Sequence, residues 1–324
     1  MTASNPVGEN TVNTVLGPIA ASDLGVTAVH EALLSVLPGA QYAPDISLDR
    51  PEIFEALATK LRAFKAAGGS SIVDSTGMFH GRDLPLYEAL AKATGVNIIA
   101  STGQGPEELL GGYFLTPQTN PPTPWPAEKF ADLFAQEVTG GMVHPRLERR
   151  ATAGLITTTG TAAGLTDTDE SLFRGAAKAA AETGAAVSIR YGADALAELE
   201  LVLEEVSADR VLVGGLDRRD APAVEIARRG AYVGIDHVGI NEDEDLLDDA
   251  ARADLVLELV AAGLTERIIL SANAIGVAKA VAPNEVPFAQ VISEFIPELK
   301  RRGLSGEDAQ TILVDNPRTL LTVR

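Results

Sequence analysis

The sequence predicts one α/β domain over residues 1–324, folded as a (β/α)8 TIM barrel with a short N-terminal hairpin. Three observations predict it. Eight short apolar runs have strand character, helices with near-3.6 apolar spacing separate them, and no linker or internal repeat interrupts the alternation. A chain of 324 residues can bury one large core. A doubly wound sheet is the structural competitor.

The elements follow in order. Thr11 to Leu24 mixes short apolar pieces with Gly17, Pro18, Ser22 and Asp23, as a hairpin would. Val26 to Leu33 is the first barrel strand, in which residues 30 and 32 share a face and residue 31 points away. Pro51 to Ala67 carries Ile53, Phe54, Leu57, Leu61 and Phe64 at helical spacing and stops at Gly68-Gly69. Ser71 to Asp74 is the second strand, Leu84 to Thr94 a helix ended by Gly95, and Val96 to Ala100 the third strand. Gly103 to Pro124 is a long Gly- and Pro-rich loop leading into Trp125, and loops of that length are usually lids or pocket walls.

A helix over Pro126 to Thr139 precedes the fourth strand, Ala153 to Thr158. Asp169 to Thr183 is a helix capped by Asp167 or Thr168, and Ala186 to Arg190 is the fifth strand. Arg210 to Val213, Ala231 to Ile235 and Arg267 to Leu270 are the last three strands. Helices over Ala193 to Val206, Ala221 to Arg229 and Leu246 to Ala262 precede and separate them. Phe288 to Arg301, kinked or broken at Pro297, and Gly306 to Val314 close the chain.

Composition narrows the function. The formal net charge of -19, from 45 acidic against 26 basic residues, repels polyanions, so nucleic acid and anionic membrane are poor partners. The absence of cysteine excludes disulfides, thiolate metal sites and a cysteine nucleophile. Met1 to Thr11 has neither a basic nor an apolar signal region, and no run reaches transmembrane length, so a cytoplasmic location is expected. The acidic run Asn241 to Asp249 reads as a solvated loop and first helical turn. Gly103-Gln104-Gly105 does not complete a dinucleotide fingerprint, and no serine elbow, Walker loop or His-Glu-x-x-His helix is present.

Asn13-Thr14-Val15-Leu16-Gly17-Pro18-Ile19, followed by Leu24-Gly25-Val26-Thr27 and His30-Glu31, resembles the opening of the phosphotriesterase family within the amidohydrolase superfamily. The resemblance continues in order through Ile72-Val73-Asp74-Ser75-Thr76, Ile98-Ile99-Ala100-Ser101-Thr102-Gly103, Gly234-Ile235-Asp236-His237 and Asp315-Asn316-Pro317. It implies a barrel in which two divalent metals, bridged by a carboxylated lysine, activate a hydroxide toward an ester, lactone or phosphotriester. It also implies a homodimer.

Carried over position by position, that ligand set fails. The first histidine of the strand-one pair is His30, but the second falls on Ala32. The lysine falls on Thr157, two further histidines on Arg190 and Gly215, and the aspartate on Asn273. Zinc sites need three or four N, O or S donors, and a guanidinium repels a cation. The expectation is no metal and no cofactor.

The remaining polar residues suggest a rebuilt pocket. His30 is a candidate general base or hydrogen-bond donor at the barrel mouth, or an imidazole packed in the core. His237 resembles the family's substrate-pocket position after strand seven. Arg190 is a candidate for gripping a carboxylate or phosphate or stabilising an oxyanion, or else fills the old cavity as a structural ion pair. Asp74 and Asp236 are its candidate partners, and read as orienting groups more than as acid-base groups. Tyr191 and Asn273 complete the candidate substrate-contacting set. His80 and His144, in apparent loops, read as surface residues.

The expectation is therefore a metal-independent enzyme acting on a small molecule at the C-terminal mouth, with His30, Arg190 and His237 as catalytic candidates. Ester or lactone hydrolysis is the class the resemblance suggests, and lyase or isomerase chemistry fits the residues too. A noncatalytic small-molecule-binding protein is the alternative, and a purely structural barrel a third reading.

Overall fold

The computed structural model describes residues 10–40, 43, 45–110, 124–144 and 147–324. Strands β1 (Thr11–Thr14) and β2 (Gly17–Ala20) form the expected antiparallel hairpin, turning at Gly17 with φ 108°, a conformation that favours glycine. The barrel strands are β3 (Thr27–Val36), β4 (Ser71–Asp74), β5 (Asn97–Gln104), β6 (Leu155–Thr159), β7 (Val187–Arg190), β8 (Val211–Gly214), β9 (Tyr232–Ile235) and β10 (Ile268–Leu270). Each pairs in parallel with the next, as right-handed β-α-β crossovers require.

The ring closes through a split eighth strand. β10 pairs with β9, and β11 (Ile275–Lys279) pairs with β3, setting Ile275 beside Ala32. The expected eighth strand, Arg267 to Leu270, is only its first half. Asn273 has φ 48°, and on either side of it the Ala272 and Ala274 amides donate to the Glu31 carboxylate at 3.0 and 2.6 Å. Glu31 thus satisfies the backbone that the break leaves without strand partners. Burial lifts the Glu31 carboxyl to about 8 against the pull of those two amides.

Two apolar cores lie on the two faces of the sheet. Inside the ring, Val29, Val73, Ile99, Leu155, Ala186, Leu212, Tyr232 and Ile269 form one cluster with Val12 and Leu24 from the hairpin region and Leu320 and Leu321 from the last helix. The hairpin therefore plugs the bottom of the barrel, leaving the other end for the site. Outside, the helices pack on Ile72, Ile98, Ile156, Val187, Val213 and Val233.

Caps fix where the helices start. α1 (Arg50–Ala66) is capped by Asp49 and α2 (Leu84–Thr94) by Asp83, whose carboxylates accept from Glu52 and Leu86 amides. After the short α3 (Glu107–Leu110) and α4 (Ala127–Thr139), α5 (Asp167–Thr183) is capped by Thr166. That corrects the expected cap at Asp167 or Thr168: the reciprocal box with Asp169 works only from Thr166. Pro297 does not break its helix. The winding changes instead: a π-turn over Val291–Phe295 runs directly into Ile296–Arg301, and the wider turn accommodates a residue that has no N–H to donate. Most of the expected loop Gly103 to Pro124 lies outside the described residues.

Candidate active site

At the C-terminal ends of the strands lies a cavity of about 230 Å3. Ala32, Thr157, Arg190 and Asn273 all line it, so four of the positions that correspond to family metal ligands meet around one space. Arg190, the last residue of β7, donates from Nη2 to Asn273 Oδ1 at 2.7 Å. Among the described residues no carboxylate lies within 4.0 Å of its guanidinium. Burial lowers the Arg190 pKa, with the Asp236 charge opposing, yet a guanidinium remains protonated at neutral pH. A positive charge therefore faces the cavity with a neutral protein partner.

The two aspartates proposed as partners of Arg190 are engaged elsewhere, which corrects that expectation. Asp74 is fully buried and accepts from the Leu33 amide at 2.8 Å, from Tyr87 Oη at 2.9 Å and from the Thr76 hydroxyl. It holds the turn after β4. Asp236 Oδ2 lies 2.8 Å from His30 Nδ1 and accepts from the Gly215 amide at 2.7 Å. Burial alone would raise the Asp236 carboxyl, and the charge and hydrogen bond of His30 hold it below its ordinary value.

His30 is fully buried and does not line the cavity. Its Nε2 is 2.6 Å from Ser188 Oγ, and its Nδ1 faces the Asp236 carboxylate as an ion-pair contact. A register shift between Ala28 and Glu31 explains its place: the bulge turns both Val29 and His30 inward, against simple alternation. Gly214 makes room, because a Cβ there would stand 2.5 Å from Asp236 Oδ2 and 2.6 Å from His30 Cε1.

His237 belongs to a second cluster on the rim. Its Nδ1 is 2.8 Å from Asp217 Oδ1, and Asp217 Oδ2 accepts from the His237 amide and from Arg252 Nε, at 2.9 and 2.8 Å. Arg252 continues to Asp249 at 2.8 Å. Burial works against the Asp217 charge, but His237 and Arg252 outweigh it and hold the carboxyl down at about 2. Among the described residues His237 Nε2 has no hydrogen-bond partner. Tyr191 lies under Arg218, whose guanidinium sits 4.5 Å from the ring centroid, and it does not line the cavity.

Two further groups belong to this region without a motif to mark them. Asp217 follows the end of β8 closely, as His237 follows β9, and that shared position was the available signal. His80, expected on the surface, is half-buried and lines the Arg190 cavity with its Nε2 3.2 Å from the Gly105 carbonyl oxygen. It stands several residues beyond β4 in a loop, and nothing in the sequence marks it.

The family's metal pair does not fit the residues present. Among the described residues, no three His, Asp or Glu side chains converge where they could hold a metal ion. The cavity presents a methyl, a hydroxyl, a guanidinium and an amide at positions 32, 157, 190 and 273.

A parallel ring with its polar groups gathered at the C-terminal strand ends defines a (β/α)8 barrel with its site at the mouth. The chain belongs to the phosphotriesterase family, matching it over residues 10–321. It is 30% identical over 328 residues to a phosphotriesterase homology protein of Mycobacterium tuberculosis, covering 95% of this chain and 97% of that one. An aryldialkylphosphatase of Saccharolobus solfataricus is 28% identical, with 93% and 96% covered, and an N-acetyltaurine hydrolase of Tetraodon nigroviridis 26%, with 97% and 98% covered. An organophosphorus hydrolase variant from Deinococcus radiodurans shares the fold with a TM-score of 0.85 at 24% identity, over 98% and 99% of the two chains.

Proposed function

We propose that this barrel is an enzyme that works without the binuclear metal centre of its family, on a small anionic molecule held at the C-terminal mouth. The observation that carries the reading is Arg190: a cation lining the cavity, hydrogen-bonded to neutral Asn273 and without a carboxylate within 4.0 Å among the described residues. A ligand carboxylate, phosphate or sulfonate would supply the missing charge bidentately. Relatives named as hydrolases favour hydrolysis of an ester, lactone or amide, and lyase or isomerase chemistry uses the same acid-base groups.

Within this reading the histidines take different roles. His30, with both nitrogens engaged, acts as a positioning residue that ties β3 to β7 and β9. His237, oriented through Nδ1 by Asp217 and open at Nε2, suits proton transfer. Its distance from the cavity lining favours the second reading, a noncatalytic binder of a small anion. No described helix is long and apolar enough to cross a membrane. Cytoplasmic residence and a homodimer belong to the same proposal.

The experiment compares wild type with Arg190→Ala on esters, lactones and acylamines that carry a carboxylate or sulfonate, with metal-free buffers in parallel. Metal-independent turnover that falls with Arg190→Ala supports the enzyme. Arg190-dependent binding without turnover supports the binder, and indifference to Arg190 in both assays overturns both.

A further inference from the structure

We propose that His80 is the general base of the Arg190 cavity, an assignment that rests on the reading of this site as metal-independent. Three observations carry it. His80 lines the same cavity as Arg190, and these two are the only titratable residues in that lining among the described residues. Its tautomer is set by the Gly105 carbonyl, which can only accept, so Nε2 carries the proton across the 3.2 Å contact. The neutral ring then has its lone pair on Nδ1, which makes no hydrogen bond to any described residue.

The loop that carries the ring is pinned. The His80 carbonyl accepts from the Val36 amide at 2.9 Å. Next to it, Gly81 has φ 116° and passes so close to β3 that a Cβ would stand 2.4 Å from the Leu34 carbonyl oxygen. The base is thereby held by backbone on one side and by Gly105 on the other. Burial lowers the His80 pKa below its ordinary value, and the Arg190 charge from β7 acts in the same direction. At neutral pH the imidazole is therefore unprotonated and able to accept.

In hydrolysis, Nδ1 takes a proton from water as the water oxygen bonds to the acyl carbon. Collapse of the tetrahedral intermediate breaks the bond from that carbon to the leaving oxygen, which takes the proton back from the imidazolium. Water is consumed and no electrons change hands. Arg190 meanwhile holds the anionic group of the substrate, which sets the acyl carbon against the base.

The test uses the full chain and the variants His80→Gln and Arg190→Ala. Turnover of carboxylate-bearing esters and lactones, including the mono-(4-nitrophenyl) ester of succinic acid, is measured across pH 4 to 9, and acetate binding by calorimetry. Glutamine keeps an N–H to donate to Gly105 and cannot accept the proton. The expected result is a wild-type kcat/KM that rises with pH through one ionisation. In His80→Gln it falls by at least about 100-fold and loses that pH limb, with acetate binding unchanged. A His80→Gln enzyme that keeps its rate and its pH limb overturns the assignment and leaves the Arg190 site standing. Arg190-dependent acetate binding with no turnover of any ester overturns the assignment and makes the protein a binder. Loss of both turnover and acetate binding in wild type overturns the functional reading itself.

Discussion

Arg190 Nη2 donates to Asn273 Oδ1 at 2.7 Å, and this contact joins the end of β7 to the break between β10 and β11. A carboxylate at 273 would form an ion pair and extinguish the free charge. Asn273→Asp should therefore abolish acetate and phosphate binding as completely as Arg190→Ala. A calorimetric titration of each variant checks this, and an Asn273→Asp protein that binds acetate as wild type does would show that Arg190 is not the anion's partner.

Gly214 predicts a stability effect from the interior pair. Gly214→Ala forces a Cβ against Asp236 and His30 and should cost about 1–3 kcal/mol in urea unfolding. Gly215→Ala next door meets nothing closer than 3.7 Å and suffers only from its φ of 75°, at about 1 kcal/mol. If both cost the same, the His30–Asp236 contact is not the constraint on Gly214.

The eight-strand ring was legible in the sequence because local patterning sets it: apolar runs bounded by glycine and capped helices recur at nearly every expected place. The closure was not. Ile275-Gly276-Val277-Ala278-Lys279 becomes β11 where Glu31, more than two hundred residues away, and Asn284 hold the Ser271–Ala274 break. The same limit applied to the site. Arg190 and Asn273 stood out from their positions at strand ends, whereas the burial of His30 depends on a bulge and on Ser188 and Asp236 from distant strands. His80 reaches the cavity through a loop whose path is fixed by contacts to β3 and Gly105.

Asp217 gives a pH dependence. Its carboxyl falls from an ordinary 3.8 to about 2 on folding, so between those values the unfolded chain binds the extra proton. The stability it contributes is fully present above pH 3.8 and is lost as pH falls toward 2, at an order of about 2 kcal/mol. Asp217→Asn should remove this part of the acid limb. At neutral pH it should cost about 3–5 kcal/mol, because Arg252 loses one of its two carboxylates. Unfolding free energies of both proteins from pH 2 to 7 decide it, and parallel acid limbs would refute the assignment.

Purified protein should carry less than about one tightly bound divalent metal per chain, since three or four donors are needed for a tight site. Elemental analysis after growth with added zinc is the check. Two equivalents that survive dialysis would mean that other donors serve the barrel.

The cavity also predicts how far a metal site can be rebuilt. Positions 32, 190 and 273 line one space, so Ala32→His, Arg190→His and Asn273→Asp together supply two imidazoles and a carboxylate, enough for one zinc with water as its fourth ligand. None of the three suffices alone, because chelation needs donors that converge, and Arg190 left in place repels the cation. Adding Thr157→Lys and Gly215→His should not raise the stoichiometry to two. Gly215 does not line the cavity and has φ 75°, and His30 is committed to Asp236 and Ser188 at 2.8 and 2.6 Å. Zinc titration by calorimetry should give one equivalent for both the triple and the fivefold variant. Two equivalents in the fivefold protein would show that His30 can be released from its partners. A folded triple variant that binds no zinc would show that the three positions do not converge.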